Sequence, residues 1–253
     1  MRIILIAIMV SVAASLCAQP KSQKVEISAG DILNEVIDKQ LQYAFDDFTE
    51  GVVLHNNGAI SKTKLNYNYL LSEMQYIDQQ TKDTLALIRD SGITVISISG
   101  RKFIPGLKGK EFIELLNDGN ISLGVKRSSK LLSMGGKGAY GTTNITTSAS
   151  SVSTMAVGMK DGVGRSENVS QLNMTLGQHS LSVMEDMEVN MDNFYYLVDV
   201  ENGKLTLITN VKSFLKVYPK SKATAIEQYV DTNNVNFRKE DDLLKLTSYC
   251  NQL

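Results

Sequence analysis

The sequence predicts an α+β fold: mainly an antiparallel β meander, curled or folded into a small barrel or sandwich, with an N-terminal helix and a C-terminal three-helix appendage. Three observations predict it. Between Gly51 and Lys126, apolar and polar residues alternate in short runs separated by turn residues, the period of half-buried strands. Ahead of that stretch, Ile32, Leu33, Val36, Ile37 and Leu41 recur at helical spacing behind Gly30-Asp31, where Asp31 suits an N-cap. Beyond residue 210, apolar residues return to helical spacing in separate blocks.

The elements follow in order. Tyr43, Phe45 and Phe48 alternate with Asp46-Asp47 into the first strand. Val52 to His55 meets Asn56-Asn57-Gly58, the strongest short hairpin signal, because Asn and Gly tolerate positive φ. Leu65 and Tyr67 share one face of the next strand, and Met74 and Tyr76 alternate with Gln75 after a turn near Ser72. Leu85 and Leu87 lie on one face of Thr84–Ile88. Asp90-Ser91-Gly92 turns into the β-branched run Val95–Ile98, and Phe103-Ile104 stops at Pro105. Phe112–Leu116 leads through Asn117-Asp118-Gly119-Asn120 to Ile121, Leu123 and Val125, which alternate with Ser122, Gly124 and Lys126.

From 128 to 172 the chain is dense in Gly, Ser and Thr and poor in large apolar residues. Such a composition buries too little surface to offset chain entropy, and it reads as a long flexible loop. Phe194–Val198, the turn Glu201-Asn202-Gly203-Lys204 and Leu205–Ile208 then read as a hairpin. The helical blocks are Val211, Phe214, Leu215 and Tyr218 before Pro219; Ala223, Ile226, Tyr229 and Val230; and Leu243, Leu244, Leu246 and Tyr249 behind Arg238–Asp242. The expected divisions are 1–18, a signal peptide; 19–127, helix and meander; 128–172, the loop; and 173–253, hairpin and helices.

The N-terminus carries an address. Met1-Arg2 is followed by the apolar run Ile3–Val12 and by small residues up to Ala18. This is the pattern of a secretory signal cleaved after Ala18, leaving no transmembrane segment in the mature chain. Lipidation at Cys17 is the rival reading, but Leu16 stands where a small residue is wanted. With Cys17 removed, Cys250 has no partner for an internal disulfide, so stability rests on the core.

Composition narrows the function. A net charge of −1 over 253 residues gives no electrostatic case for nucleic acid. The two histidines, His55 and His179, sit in no HExxH pattern, and Cys pairs are lacking, so no metal or other cofactor is expected. No Gly-x-Ser-x-Gly elbow occurs. Gly106–Glu111 lacks phosphate-loop spacing, and Gly135-Gly136-Lys137-Gly138 lacks a following helix pattern.

Several longer stretches carry a resemblance: FTEGVVLHNNG, KTKLNYNYLLSEMQYID, GRKFIP, ISLGVKR ahead of GAYGT, and the tail TNVKSFLKVYPK with NVNFRKEDDLLKLTSYCN. Together they resemble uncharacterised secreted β-rich envelope proteins of Bacteroidota, a group without an assigned activity. The resemblance implies an envelope location, in the periplasm or at the outer membrane. It also makes Asp83-Thr84-Leu85 a match to the short O-glycosylation sequon of that phylum, with Thr84 as acceptor.

The expectation is therefore a non-enzymatic binding or structural module that recognises an envelope protein or glycan with an exposed sheet face or edge. Tyr67, Tyr69, Tyr76, Arg101 and Lys102 are the expected contact residues. The alternatives are an envelope hydrolase with a site assembled around 128–172, and a lipid- or peptide-carrying barrel with a wide apolar interior.

Overall fold

Alternation in the sequence becomes strands because every second side chain can enter one core while the backbone satisfies itself in ladders. The computed structural model describes residues 22–27, 36–87, 92–107, 111–133 and 185–253. The expected signal peptide and Cys17 lie outside them. So do the start of the N-terminal helix, Gly135–Gly138, His179 and all of the expected loop beyond Ser133.

Among the described residues, eleven strands form one antiparallel sheet. They are β1 (Ser22–Ile27), β2 (Thr49–His55), β3 (Ile60–Asn68), β4 (Glu73–Ile77), β5 (Thr84–Ala86), β6 (Ile93–Ile98), β7 (Arg101–Pro105), β8 (Phe112–Leu115), β9 (Ile121–Ser133), β10 (Glu185–Asp199) and β11 (Lys204–Leu207). Their spatial order is β1-β10-β9-β8-β7-β6-β2-β3-β4-β5, with β11 also on β10. Four helices accompany them among the described residues: α1 (Lys39–Gln42), α2 (Val211–Leu215), α3 (Lys220–Thr232) and α4 (Glu240–Gln252).

Turn chemistry sets the register. At the β2–β3 hairpin Gly58 takes φ 81°, the amide of Gly58 donates to the His55 carbonyl, and Asn57 Oδ1 accepts from the Ala59 amide at 2.9 Å. Between β6 and β7, Ser99 and Gly100 both have positive φ, which places Ile98 opposite Arg101. Two positive φ values in a two-residue loop match the right-handed twist of the flanking strands.

The sheet is mainly antiparallel, as expected, but it stays open and forms no closed barrel. Its curl brings the end of β3 to β9, where the Ser129 amide donates to the Tyr69 carbonyl at 2.9 Å. No ladder closes there. The apolar faces of α2, α3 and α4 lie against β9 and β10. Phe214, Ile226, Leu243, Leu246 and Cys250 pack on Leu123, Val125, Tyr195 and Leu197.

The same concave face carries a second core farther along the sheet, built from Leu65, Tyr67, Tyr69, Met74, Ile96, Ile98, Phe103 and Phe112. Burying a side chain such as Phe103 contributes about 2 kcal/mol. Gly51 lets this core close: a Cβ there would lie 2.8 Å from Leu65 Cδ1 and 3.0 Å from the Ser97 carbonyl oxygen. The short α1, capped by Asp38 Oδ1 on the Gln40 amide at 2.9 Å, carries the buried Leu41 and Gln42. Asn66 pins the segment after α1, accepting from the Phe45 amide and donating to the Phe45 carbonyl.

Strand β9 runs six residues past the boundary expected at 128. Ser128 and Ser129 are buried, and Ser129 Oγ donates to the Leu41 carbonyl at 2.5 Å. No helix among the described residues is long and apolar enough to cross a membrane.

Candidate functional site

Between the two cores, side chains that point into the concave face change from apolar to charged. Alternation puts Arg101 on the face of Phe103, Glu114 on that of Phe112, and Arg127 on that of Leu123 and Val125. The three strands are neighbours, so the charges meet. Arg101 grips Glu114 with two parallel bonds, Nε to Oε1 at 2.6 Å and Nη2 to Oε2 at 2.8 Å. Its Nη1 donates to the Ala44 carbonyl at 2.8 Å, and its guanidinium lies 4.8 Å from the Phe45 ring centroid. Arg127 continues the chain, with Nη1 on Glu114 Oε2 and Nη2 on Glu240 Oε2 at 2.7 Å.

Glu240 opens α4, where the helix dipole favours an anion. The network thus ties β7, β8 and β9 to α4. Burial works against the Arg101 charge, but the bonds and attraction from Glu114 outweigh it and hold the proton more firmly than in a free guanidinium. Burial, with the nearby Glu240 carboxylate, raises the Tyr195 hydroxyl above its ordinary value, so it stays neutral.

This network borders a cleft of about 1010 Å³. Its other walls are Met191 to Tyr195 of β10, Leu207 to Thr209 after β11, and the turn before α4 with Phe237 and Arg238. A second groove, of about 600 Å³, lies on the opposite face, over Ile104, Leu115, Val198 and Leu205. At its rim Lys102 Nζ meets Asp118 Oδ1 at 2.7 Å, and Val200 is exposed.

The chain matches no family model, no curated protein and no solved structure.

The expected contact residues separate. Tyr67 and Tyr69 are 2% and 1% exposed, so they belong to the core and do not reach a partner. They meet edge to face at 5.8 Å, and Tyr67 tilts against Phe103 at 5.9 Å. Burial raises the Tyr67 hydroxyl well above its ordinary value, and the Phe112 amide reaches its oxygen at 3.5 Å. The reason is parity: Tyr67 sits on the same side of β3 as Leu65, the core side. Tyr76 is half-buried against that core. Arg101 and Lys102, neighbours in sequence, face opposite sides of the sheet and line the cleft and the groove respectively. Thr84 begins the edge strand β5, half-buried and opposite Ile77.

Glu114, Arg127 and Glu240 were not among the expected residues. Glu114 carried a signal: in Phe112-Ile113-Glu114-Leu115 an acid shares a strand face with a buried aromatic, and a buried acid calls for a cation. His55 Nε2 lies 3.2 Å from Ser61 Oγ on the exposed hairpin, and neither residue lines the cleft or the groove. Among the described residues, no three His, Cys, Asp or Glu side chains converge as metal ligands.

Proposed function

We propose that this chain is an exported, non-enzymatic binding module of the cell envelope, and that it takes a protein or glycan partner in the cleft between β10 and α4. The observation that carries this reading is the cleft itself, whose charged wall is already fixed by ion pairs from three strands and a helix. Charges held by one another need little rearrangement on binding, which lowers the cost of association. The N-terminal export pattern supports an envelope address, and cleavage after Ala18 gives a mature chain of 19–253. The C-terminal helices serve as the support that holds Phe237, Arg238 and Glu240 at the cleft.

The test is capture of partners from an envelope extract by tagged 19–253, read by mass spectrometry against surface variants. Arg238→Glu reverses an exposed charge at the cleft, and Lys102→Glu does the same at the groove. The expected result is a reproducible partner lost on Arg238→Glu and kept on Lys102→Glu. The opposite pattern moves the site to the groove. A partner indifferent to both variants, or no partner, overturns the reading.

A further inference from the structure

The face of the sheet opposite the two cores carries a furrow along the start of β9. Leu115 sits directly opposite Lys102 on β7 and Gly124 on β9. Val198 sits directly opposite Ser122 on β9 and Leu205 on β11. Directly opposite residues share a face. β9 therefore sets only Ser122 and Gly124 between larger apolar side chains on both sides. Gly124 has to stay small, because a Cβ there would lie 2.6 Å from Ile113 Cγ2 and 3.0 Å from Val198 Cγ2. This furrow is the groove of about 600 Å³. From Lys102 on β7 to Leu205 on β11 it crosses four strand spacings, roughly 19 Å.

Its apolar walls keep accessible surface. Val95, Ile104, Leu115 and Leu205 are half-buried, and Val200 on the β10–β11 turn is 53% exposed. The charged groups are few and differ in how they are held. Asp199 serves its own turn, accepting from the Asn202 amide at 3.1 Å and from the Asn202 side chain at 2.8 Å. Lys102 and Asp118 pair at the rim, but the Asp118 side chain is 85% exposed and that of Lys102 47%. Lys102 stands on a strand beside Leu115, whereas Asp118 stands on a turn in water. An exposed pair of this kind contributes little, so another anion can replace Asp118 on Lys102 at small cost.

We propose that this groove binds a free long-chain carboxylate, a fatty acid: its aliphatic chain crosses β9 between Leu115 and Val198, and its carboxylate takes the place of Asp118 on Lys102 Nζ. The inference is independent of the cleft, which lies on the other face of the sheet. Small-ligand sites are concave and mostly apolar with a few placed polar groups, and about 600 Å³ suits one. A cationic head would have to reach Asp118 out in water or Asp199 inside its turn. An acyl chain in ester or amide linkage brings no carboxylate to Lys102.

The experiment titrates the full chain calorimetrically with dodecanoate, decanoate and dodecyltrimethylammonium, each below the concentration at which it forms micelles. Lys102→Ala removes the cation, and Val200→Asp sets a carboxylate beside the chain; both positions are exposed, and circular dichroism checks that both variants fold. The expected result is one dodecanoate site per chain, with decanoate about tenfold weaker for its two missing methylenes. Dodecyltrimethylammonium binds the parent about tenfold more weakly than dodecanoate. Lys102→Ala binds dodecanoate about fivefold more weakly and loses the preference over the ammonium compound. Val200→Asp weakens every chain tenfold or more, and Arg238→Glu, at the cleft, binds dodecanoate as the parent does. The chain-length and head-group comparisons are made on the parent and decide the matter where a variant fails to fold.

Absence of saturable binding overturns the proposal. Dodecanoate affinity that Lys102→Ala and Val200→Asp both leave unchanged overturns it too, because the chain then sits elsewhere. Equal affinity of the parent for carboxylate and ammonium overturns the fatty-acid assignment even where Val200→Asp abolishes both.

Discussion

Glu114 holds two guanidinium groups at once, and its side chain is only 10% exposed. Replacing it by Gln keeps the shape and removes the charge that Arg101 and Arg127 share. Breaking a buried pair from one side leaves a desolvated cation, so Glu114→Gln should cost about 3 kcal/mol. A drop in the urea midpoint at pH 7 would register it. Lys102 is the matched control, since its pair with Asp118 is largely exposed. Lys102→Ala should leave the midpoint unchanged. Gly51 tests packing rather than charge. A methyl group there meets the Ser97 carbonyl oxygen at 3.0 Å as well as two core side chains, and the backbone cannot swing aside. Gly51→Ala should cost about 1–3 kcal/mol by overpacking, read from the same denaturation curve.

At the level of elements, the helices differ in how they start and what they bury. Helix α2 begins with a capping box, in which Asn210 Oδ1 accepts from the Ser213 amide at 3.0 Å and Ser213 Oγ accepts from the Asn210 amide at 3.0 Å. Asn210→Ala should cost about 1 kcal/mol, visible as a lower thermal midpoint. Helix α4 buries Cys250 against the α2 side of its core, where burial pushes the thiol up to about 11, partly opposed by its contact with Tyr218. The raised value means that the unfolded chain releases this proton first, near its ordinary 9.0. Stability from the neutral thiol is therefore complete below pH 9 and is lost as pH climbs from about 9 to about 11. Denaturation midpoints measured across that window should fall for the parent and fall less steeply for Cys250→Ala. Hairpins marked by Asn57-Gly58 and Asn202-Gly203 were legible in the sequence because glycine supplies the positive φ they need. The end of β9 was not, because a serine-rich run reads as loop unless its hydroxyls find carbonyls, and Ser129 finds that of Leu41 from 88 positions away. The charged wall was half legible. Arg101 was picked out, but Glu114 and Arg127 join it only through the register of the β7–β8 and β8–β9 ladders, and Glu240 only through the docking of α4.

Across the whole molecule, two cores share one face of one sheet, with the Arg101–Glu114–Arg127–Glu240 network between them. Their separation along the sheet suggests two units that could melt apart, yet β8 contributes to both sides of the divide. Phe112 lies in the first core, Glu114 two residues on is in the network, and Val125 opposite Glu114 lies in the second core. Losing the helical core would free Glu240 from Arg127 and expose Leu123 and Val125 on the strand that pairs with β8. Cooperativity follows from that shared strand pair rather than from a common interior. Leu246→Ala, a truncation of a fully buried residue in α4, should cost about 2–5 kcal/mol. It should lower the one transition and leave it single. Far-ultraviolet dichroism reports both cores. Tyrosine signals in the near ultraviolet come from Tyr67 and Tyr69 of the first core and from Tyr195, Tyr218, Tyr229 and Tyr249 of the second. In the parent and in Leu246→Ala the two probes should trace coincident urea curves. A variant whose dichroism falls ahead of its tyrosine signal, in two steps, would show that the charged wall separates two independently stable units, and the shared-strand account would fail.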